Sequence, residues 1–215
     1  MNSTNKLFKR TVMMVTGIAF ISLCVGLYRL SGFGVDASTC LNLGISGFLD
    51  MQSGTWQLIM NAMILAVVFF TARECIGAGT IVNMVCVGYG ADLLCWLVQD
   101  AGQVEMTLPL RIGALVLGSV FAGLGVAFYM VAEMGVAPYD SVAIIMEKLT
   151  GGKIPFHYGR VGSDVTVVIV GVIFCLLAGD SLWTIIGLGT ICNACLNGPL
   201  IQFFRKHVSE PLLKR

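Results

Sequence analysis

The chain has 215 residues, 57% of them hydrophobic and 12% charged, with a formal net charge of +1 at neutral pH. Its mean hydropathy is +0.88. Soluble domains run at roughly 45–50% apolar and about 25% charged, so this composition excludes an ordinary soluble globule, and the balanced charge offers nothing to nucleic acid.

The charges leave long gaps. Runs 11–27, 56–72, 75–91, 112–132, 165–179 and 181–204 hold no charged residue, and a helix of about 20 apolar residues crosses a hydrocarbon core. The sequence therefore predicts an all-α polytopic membrane protein. The first run follows "NKLFKR" but no small-x-small cleavage site follows it, so it is expected to be a retained span rather than a secretory signal.

In chain order the expected elements are a span at about 11–31, a short segment at 37–49, and spans at 56–72 and 76–98. The second half repeats the pattern with a span at 111–132, a short segment at 138–150, and spans at 161–178 and 182–204. Residues 205–215 form a basic tail. The short segments reach only about 20 Å at 1.5 Å per residue, against a core of about 30 Å, so they are expected to be re-entrant or interfacial helices.

The halves are related in sequence. Between 10–35 and 111–136, 9 of 26 positions are identical without a gap, among them Arg10/Arg111, Gly17/Gly118, Tyr28/Tyr129 and Gly34/Gly135. "IGAGTIVN" (76–83) matches "IGLGTICN" (186–193) at six of eight positions. One membrane domain over 1–215, with repeats at about 10–98 and 111–204, follows. Three spans per repeat make the halves inverted, as in many secondary transporters; four make them parallel. Segment length favours three. With six spans and a cytoplasmic N-terminus, 11 of the 13 basic residues fall inside, Arg160 among them, which also places the C-terminus in the cytoplasm.

Each repeat breaks after a Gly-Val pair. In the first break Asp36 or Ser38 is placed to cap the following helix. In the second, Pro138 suits the first helical position, and Asp140 can accept free N–H groups. Two readings stand side by side: a capped loop, or two half-helix starts converging on a solute site built from Gly34, Asp36, Ser38, Gly135, Pro138, Tyr139 and Asp140. Asp92 and Asp164 are the intramembrane acids that could couple an ion, or serve as a helix-end acid and a partner of Arg160. Arg29 can snorkel to the interface, with Glu133 as its mirror. Gly77, Gly79, Thr80 and Asn83, with Gly187, Gly189, Thr190 and Asn193, suit close packing between the repeats, or the lining of a polar path.

Eight cysteines lie almost wholly in apolar runs and read as packing residues, Cys192 and Cys195 included. No metal site, cofactor or nucleophile–base pair is expected, and so no enzyme. The expected surroundings are a lipid bilayer and an unidentified small solute or ion, with a homo-oligomer left open. A small-solute transporter is the first reading; a non-transporting scaffold or accessory protein is the alternative.

The order of an apolar span, "GVAPYDS", a short helix, a "GTW" turn at 54–56 and "GxGT" openings resembles the bacterial YczE-like membrane proteins, relatives of the YitT group. "GVAPYD" (135–140) matches the G-[VL]-x-P-[WY]-D stretch of that family, with Tyr139 at the aromatic position; "GVDAST" in the first half lacks its proline and the acid at the position of Asp140. The resemblance implies a multi-pass protein of the bacterial cytoplasmic membrane. It brings no substrate and no catalytic residue.

Overall fold

The structure, a computed structural model, describes residues 3–51, 53–179, 182 and 186–214. Its helices are α1 (Ser3–Ser31), α2 (Ala37–Phe48), α3 (Ser53–Thr71), α4 (Ala78–Trp96), α5 (Leu108–Ala132), α6 (Pro138–Leu149), α7 (Phe156–Ala178), α8 (Leu188–Phe204) and α9 (Glu210–Lys214). A π-helical turn at Leu97–Ala101 extends α4, and another at Arg205–Ser209 joins α8 to α9. The described residues contain no strand. By length and composition four stretches can cross a membrane: Lys6–Ser31, Ala78–Ala101, Leu108–Ala132 and Phe156–Ala178. Thr55–Thr71 is apolar but shorter.

Some boundaries move from those expected. The "GTW" stretch begins α3 instead of forming a turn before it. Helix α7 starts at Phe156, five residues earlier than predicted, which brings Arg160 inside the helix. Helix α8 starts at Leu188 behind an extended Gly187; of the residues expected to open that span at 182, 183–185 lie outside the described ones.

A soluble protein could not carry this surface. Phe70, Ile81, Leu93, Leu177 and Leu188 are all more than half exposed. Helices, with every backbone bond made internally, tolerate hydrocarbon as their solvent. Between helices lipid gives no hydrophobic drive, so association relies on close packing of small residues. That is how the centre is built.

Helices α1 and α5 pack antiparallel along their length. A Cβ on Gly17 would come within 2.8 Å of the Gly125 carbonyl and the Tyr129 nitrogen, and one on Gly125 within 2.8 Å of the Gly17 carbonyl. Gly118 lies against Tyr28 in the reciprocal position. The ends meet the same way: Arg111 donates from Nε to the Ser31 carbonyl (2.6 Å) and from a terminal nitrogen to that of Gly32 (3.0 Å), while Arg10 pairs with Glu133. Glu133 is thus a partner of Arg10, and Arg29 pairs with Asp92. Around this pair α4 packs on α1 and α8 on α5, α2 packs on α7 and α3 on α6.

The end carrying Arg10 and Glu133 also holds an ion pair between Lys148 of α6 and Glu74, in the 3₁₀ turn Arg73–Cys75 after α3. The hydrogen bond from Lys148, helped by Glu74's own backbone, holds the Glu74 carboxyl below its ordinary value of 4.5. A carboxyl lowered in the folded state stabilises above that ordinary range and loses the contribution as pH falls through its lowered value. Both side chains are exposed, so screening keeps the effect small. Glu74→Gln should therefore leave the melting temperature at pH 7 almost unchanged and flatten part of its decline below about 4.5; an unaltered acid limb in the variant would refute the assignment.

Candidate functional site

Each break is fixed by a glycine and clasped by the opposite half of the chain. Gly34 has φ +102° and Gly135 φ +99°, values an L side chain rarely adopts. Gly79 N–H donates to the Met134 carbonyl, and Gly189 N–H to the Phe33 carbonyl, both at 2.8 Å. Thr80 donates to the Val136 carbonyl at 2.9 Å and accepts from the Gly77 N–H at 3.2 Å. The start of α4 thus holds the second break, and the start of α8 holds the first. A Cβ on Gly77 or Gly187 would strike the carbonyl of Met134 or Phe33. The I-G-x-G-T residues are contact points between the halves, with Asn83 and Asn193 buried about one turn further on.

Beyond each break a short helix begins. Asp36 caps α2, accepting from Thr39 N–H (3.1 Å), Ser38 Oγ (2.6 Å) and Thr39 Oγ1 (2.6 Å). In α6 Pro138 takes the first helical position behind Ala137, and no side chain caps that end. Asp140 does not serve as the cap. Its carboxylate pairs with Arg160, which also donates from Nε to Asp164 Oδ2 at 3.1 Å. Tyr139 donates to Asp164 Oδ1 at 2.5 Å, and the guanidinium lies 4.7 Å from the centre of the Tyr139 ring. Asp140, Arg160 and Asp164 are 7%, 6% and 0% exposed. Arg160 is consequently no cytoplasmic surface charge, as positive-charge counting took it to be. Its early helical position, four residues before Asp164, was the available signal.

Both short helices open on one cavity of about 680 Å³. Asp36 to Thr39 and Ala137 to Asp140 line it, together with Arg160, Asn42, Asn83, Asn193 and Asn197. The two starts do not meet face to face. Arg111 touches Gly32 and Arg10 touches Glu133, so the breaks sit at opposite ends of the α1–α5 pair; from residue 10 to 32 α1 rises about 33 Å. Gly34 and Gly135 stand against backbone and do not line the cavity. Asp92 also lies outside it, 67% exposed and 2.5 Å from Arg29. Asp164 stands behind Arg160 and Tyr139. Among the described residues no group of three or more His, Cys, Asp or Glu is placed to hold a metal ion.

The sequence points to Asn83 and Asn193 as packing or path-lining residues and misses Asn42 and Asn197. Asn42 Oδ1, Asn83 Nδ2 and Asn197 Oδ1 are buried without a hydrogen-bond partner, and all three residues line the cavity. A buried polar group left unpaired is uncommon and costly. Asn42, Asn83 and Asn197 were visible as amides in apolar runs, but nothing in those runs distinguishes a pore-lining amide from one that packs.

A family model described as "Family of unknown function (DUF6198)" matches residues 8–206. The chain belongs to this family. Among curated proteins it is similar to the uncharacterized protein YyaS of Bacillus subtilis (strain 168), at 27% identity over 200 residues, covering 93% of this chain and 94% of that one. It is 28% identical over 173 residues to the uncharacterized membrane protein YczE of the same organism, covering 79% of this chain and 73% of the relative. An uncharacterized protein of Haemophilus influenzae (strain ATCC 51907 / DSM 11121 / KW20 / Rd) is 23% identical over 198 residues, covering 92% and 84%. No solved structure matches. The YczE-like resemblance carried by "GVAPYD" is thus a family relation, and this DUF6198 chain is a membrane protein.

Proposed function

We propose that the chain is a small-solute secondary transporter of the bacterial cytoplasmic membrane, built from two inverted repeats of three spans with a short helix in each. The observation that carries the reading is the cavity: it is lined by helix starts from both halves, and three of its amides each have one buried atom with no hydrogen-bond partner. Binding energy concentrated on such groups is what a solute site requires.

Reciprocal contacts support the inversion. Gly17 meets Tyr129 and Gly118 meets Tyr28; Gly34 meets Gly187 and Gly135 meets Gly77. Each is one contact seen twice with the halves exchanged, and the homologous helices α1 and α5 run in opposite directions. The orientation rests on charge. The end of the molecule holding Gly135 also holds Arg10 and Lys148, so the positive-inside tendency puts that end, with both termini, in the cytoplasm.

Single cysteines at Ser38 and Ala137, in a variant freed of the native cysteines, test both statements without knowledge of the solute. A membrane-impermeant maleimide should label Ser38→Cys from outside the cell and Ala137→Cys from the cytoplasmic face of inverted vesicles. Labelling of both from one side would refute the inverted arrangement. Protection of both from either side would refute the path and leave a scaffold.

A further inference from the structure

We propose that the cavity takes a small organic cation, a protonated amine that also carries an oxygen acceptor. The proposal rests on the cavity being a solute path and adds the class of solute.

Charge is the first ground. The only guanidinium in the buried cluster, that of Arg160, faces two carboxylates, Asp140 and Asp164, so that cluster holds one negative charge more than positive. At the other helix start Asp36 accepts three hydrogen bonds, none from a cation. Arg29, which lines the same wall, is engaged by Asp92. Asp36 caps α2, and Asp140, although it leaves the N–H groups of α6 uncapped, places a carboxylate in that helix's first turn, so each positive helix end has an acid beside it. An uncompensated buried carboxylate is expensive, and a cationic solute removes the expense while it is bound.

Hydrogen-bond inventory is the second and independent ground. Asn42 and Asn197 present unpaired Oδ1 acceptors, and Asn83 an unpaired Nδ2 donor. A solute that satisfies all three brings at least two N–H or O–H donors and one acceptor. A bare metal cation can engage the two amide oxygens but offers no acceptor to Asn83 Nδ2, and a cavity of about 680 Å³ is in the range of organic ligand sites.

Calorimetric titration of the purified full-length protein, at fixed ionic strength, decides the matter. Ethanolamine and β-alaninamide are the cationic probes, ethylene glycol and propanamide the neutral ones, and propionate the anionic one; sodium and potassium chloride are titrated separately. The amines are expected to bind at least about tenfold more tightly than the neutral probes, as one charge-assisted bond provides. Asn197→Ala should weaken amine binding several-fold while the melting temperature of the empty protein holds or rises, because its Oδ1 has no partner to lose. A purely structural Asn197 would give the opposite pattern. Asp140→Asn should weaken the amines and leave the neutral probes unchanged. Equal or tighter binding of propionate or the neutral probes would overturn the proposal, as would no binding of either amine. So would sodium or potassium matching the amines at the same site. The cysteine labelling is indifferent to each of these results, so failure of the solute class and failure of the path are told apart.

Discussion

Arg160→Met is expected to destabilise the protein by about 3–5 kcal/mol, the usual consequence of removing one partner from a buried ion pair. The geometry puts this substitution at the upper end. Asp140 and Asp164 are 7% and 0% exposed, and without the guanidinium two carboxylates would face each other in a low-dielectric interior. In a chain of this size that corresponds to a fall in melting temperature of roughly 10 °C, readable by thermal unfolding in detergent. Arg160→Lys should fall between, since an ammonium cannot reach two carboxylates with a planar fork while lying over the Tyr139 ring. The decisive comparison is the triple variant Arg160→Met, Asp140→Asn, Asp164→Asn, which removes all three charges at once and should recover most of the loss. If the single variant melted with the wild type, or the triple variant lower than the single, the buried network would not be what joins α6 to α7.

That network marks the limit of what the sequence made legible. Helices and membrane setting follow from charge-free runs alone, and they were readable. So were both breaks, because a Gly-Val pair recurs after matching spans. Asp140 was visible too, but its role was not: two residues after a helix start, capping is the local expectation, and only folding brings Arg160 within reach, twenty positions away. Likewise the start of α7 was misplaced because Tyr158 and Arg160 look like loop residues until Asp164 and Asp140 neutralise the arginine. Packing of the I-G-x-G-T residues between the repeats was readable, but the contact of α4 with the second break, and of α8 with the first, was not. Sequence shows that Gly77 and Gly187 are alike; it does not show that each touches the other copy's break. The convergence of helix starts was half visible: both open on the cavity, yet from opposite ends of α1 and α5, which the repeat pattern alone does not distinguish from a face-to-face arrangement.

The exchange of contacts between halves leads to a second large effect. Gly135→Ala is expected to cost about 3 kcal/mol or more, from two sources that add. At φ +99° a side chain is strained by roughly 1–3 kcal/mol. The new Cβ would also lie 2.5 Å from the Gly77 nitrogen and 2.7 Å from Thr80 Oγ1, an overlap of the kind that costs typically another 1–3 kcal/mol. Trimming the threonine cannot relieve it, because the Gly77 backbone stays in place; Gly135→Ala with Thr80→Ala should therefore be no more stable than Gly135→Ala alone. Gly34→Ala should lose a similar amount, since Gly34 has φ +102° and a Cβ there would meet the Gly187 nitrogen at 2.5 Å and the Thr190 hydroxyl. Gly113→Ala is the matched control: it is a helical glycine with nothing within 4 Å of the added atom, and it should be neutral or gain about 0.5–1 kcal/mol. Loss at both break positions with none at Gly113 would place the cost in the clasp between the halves. Tolerance at Gly135 with loss at Gly34 would mean that only the α1–α2 break is held, and that the two halves do not grip each other equally.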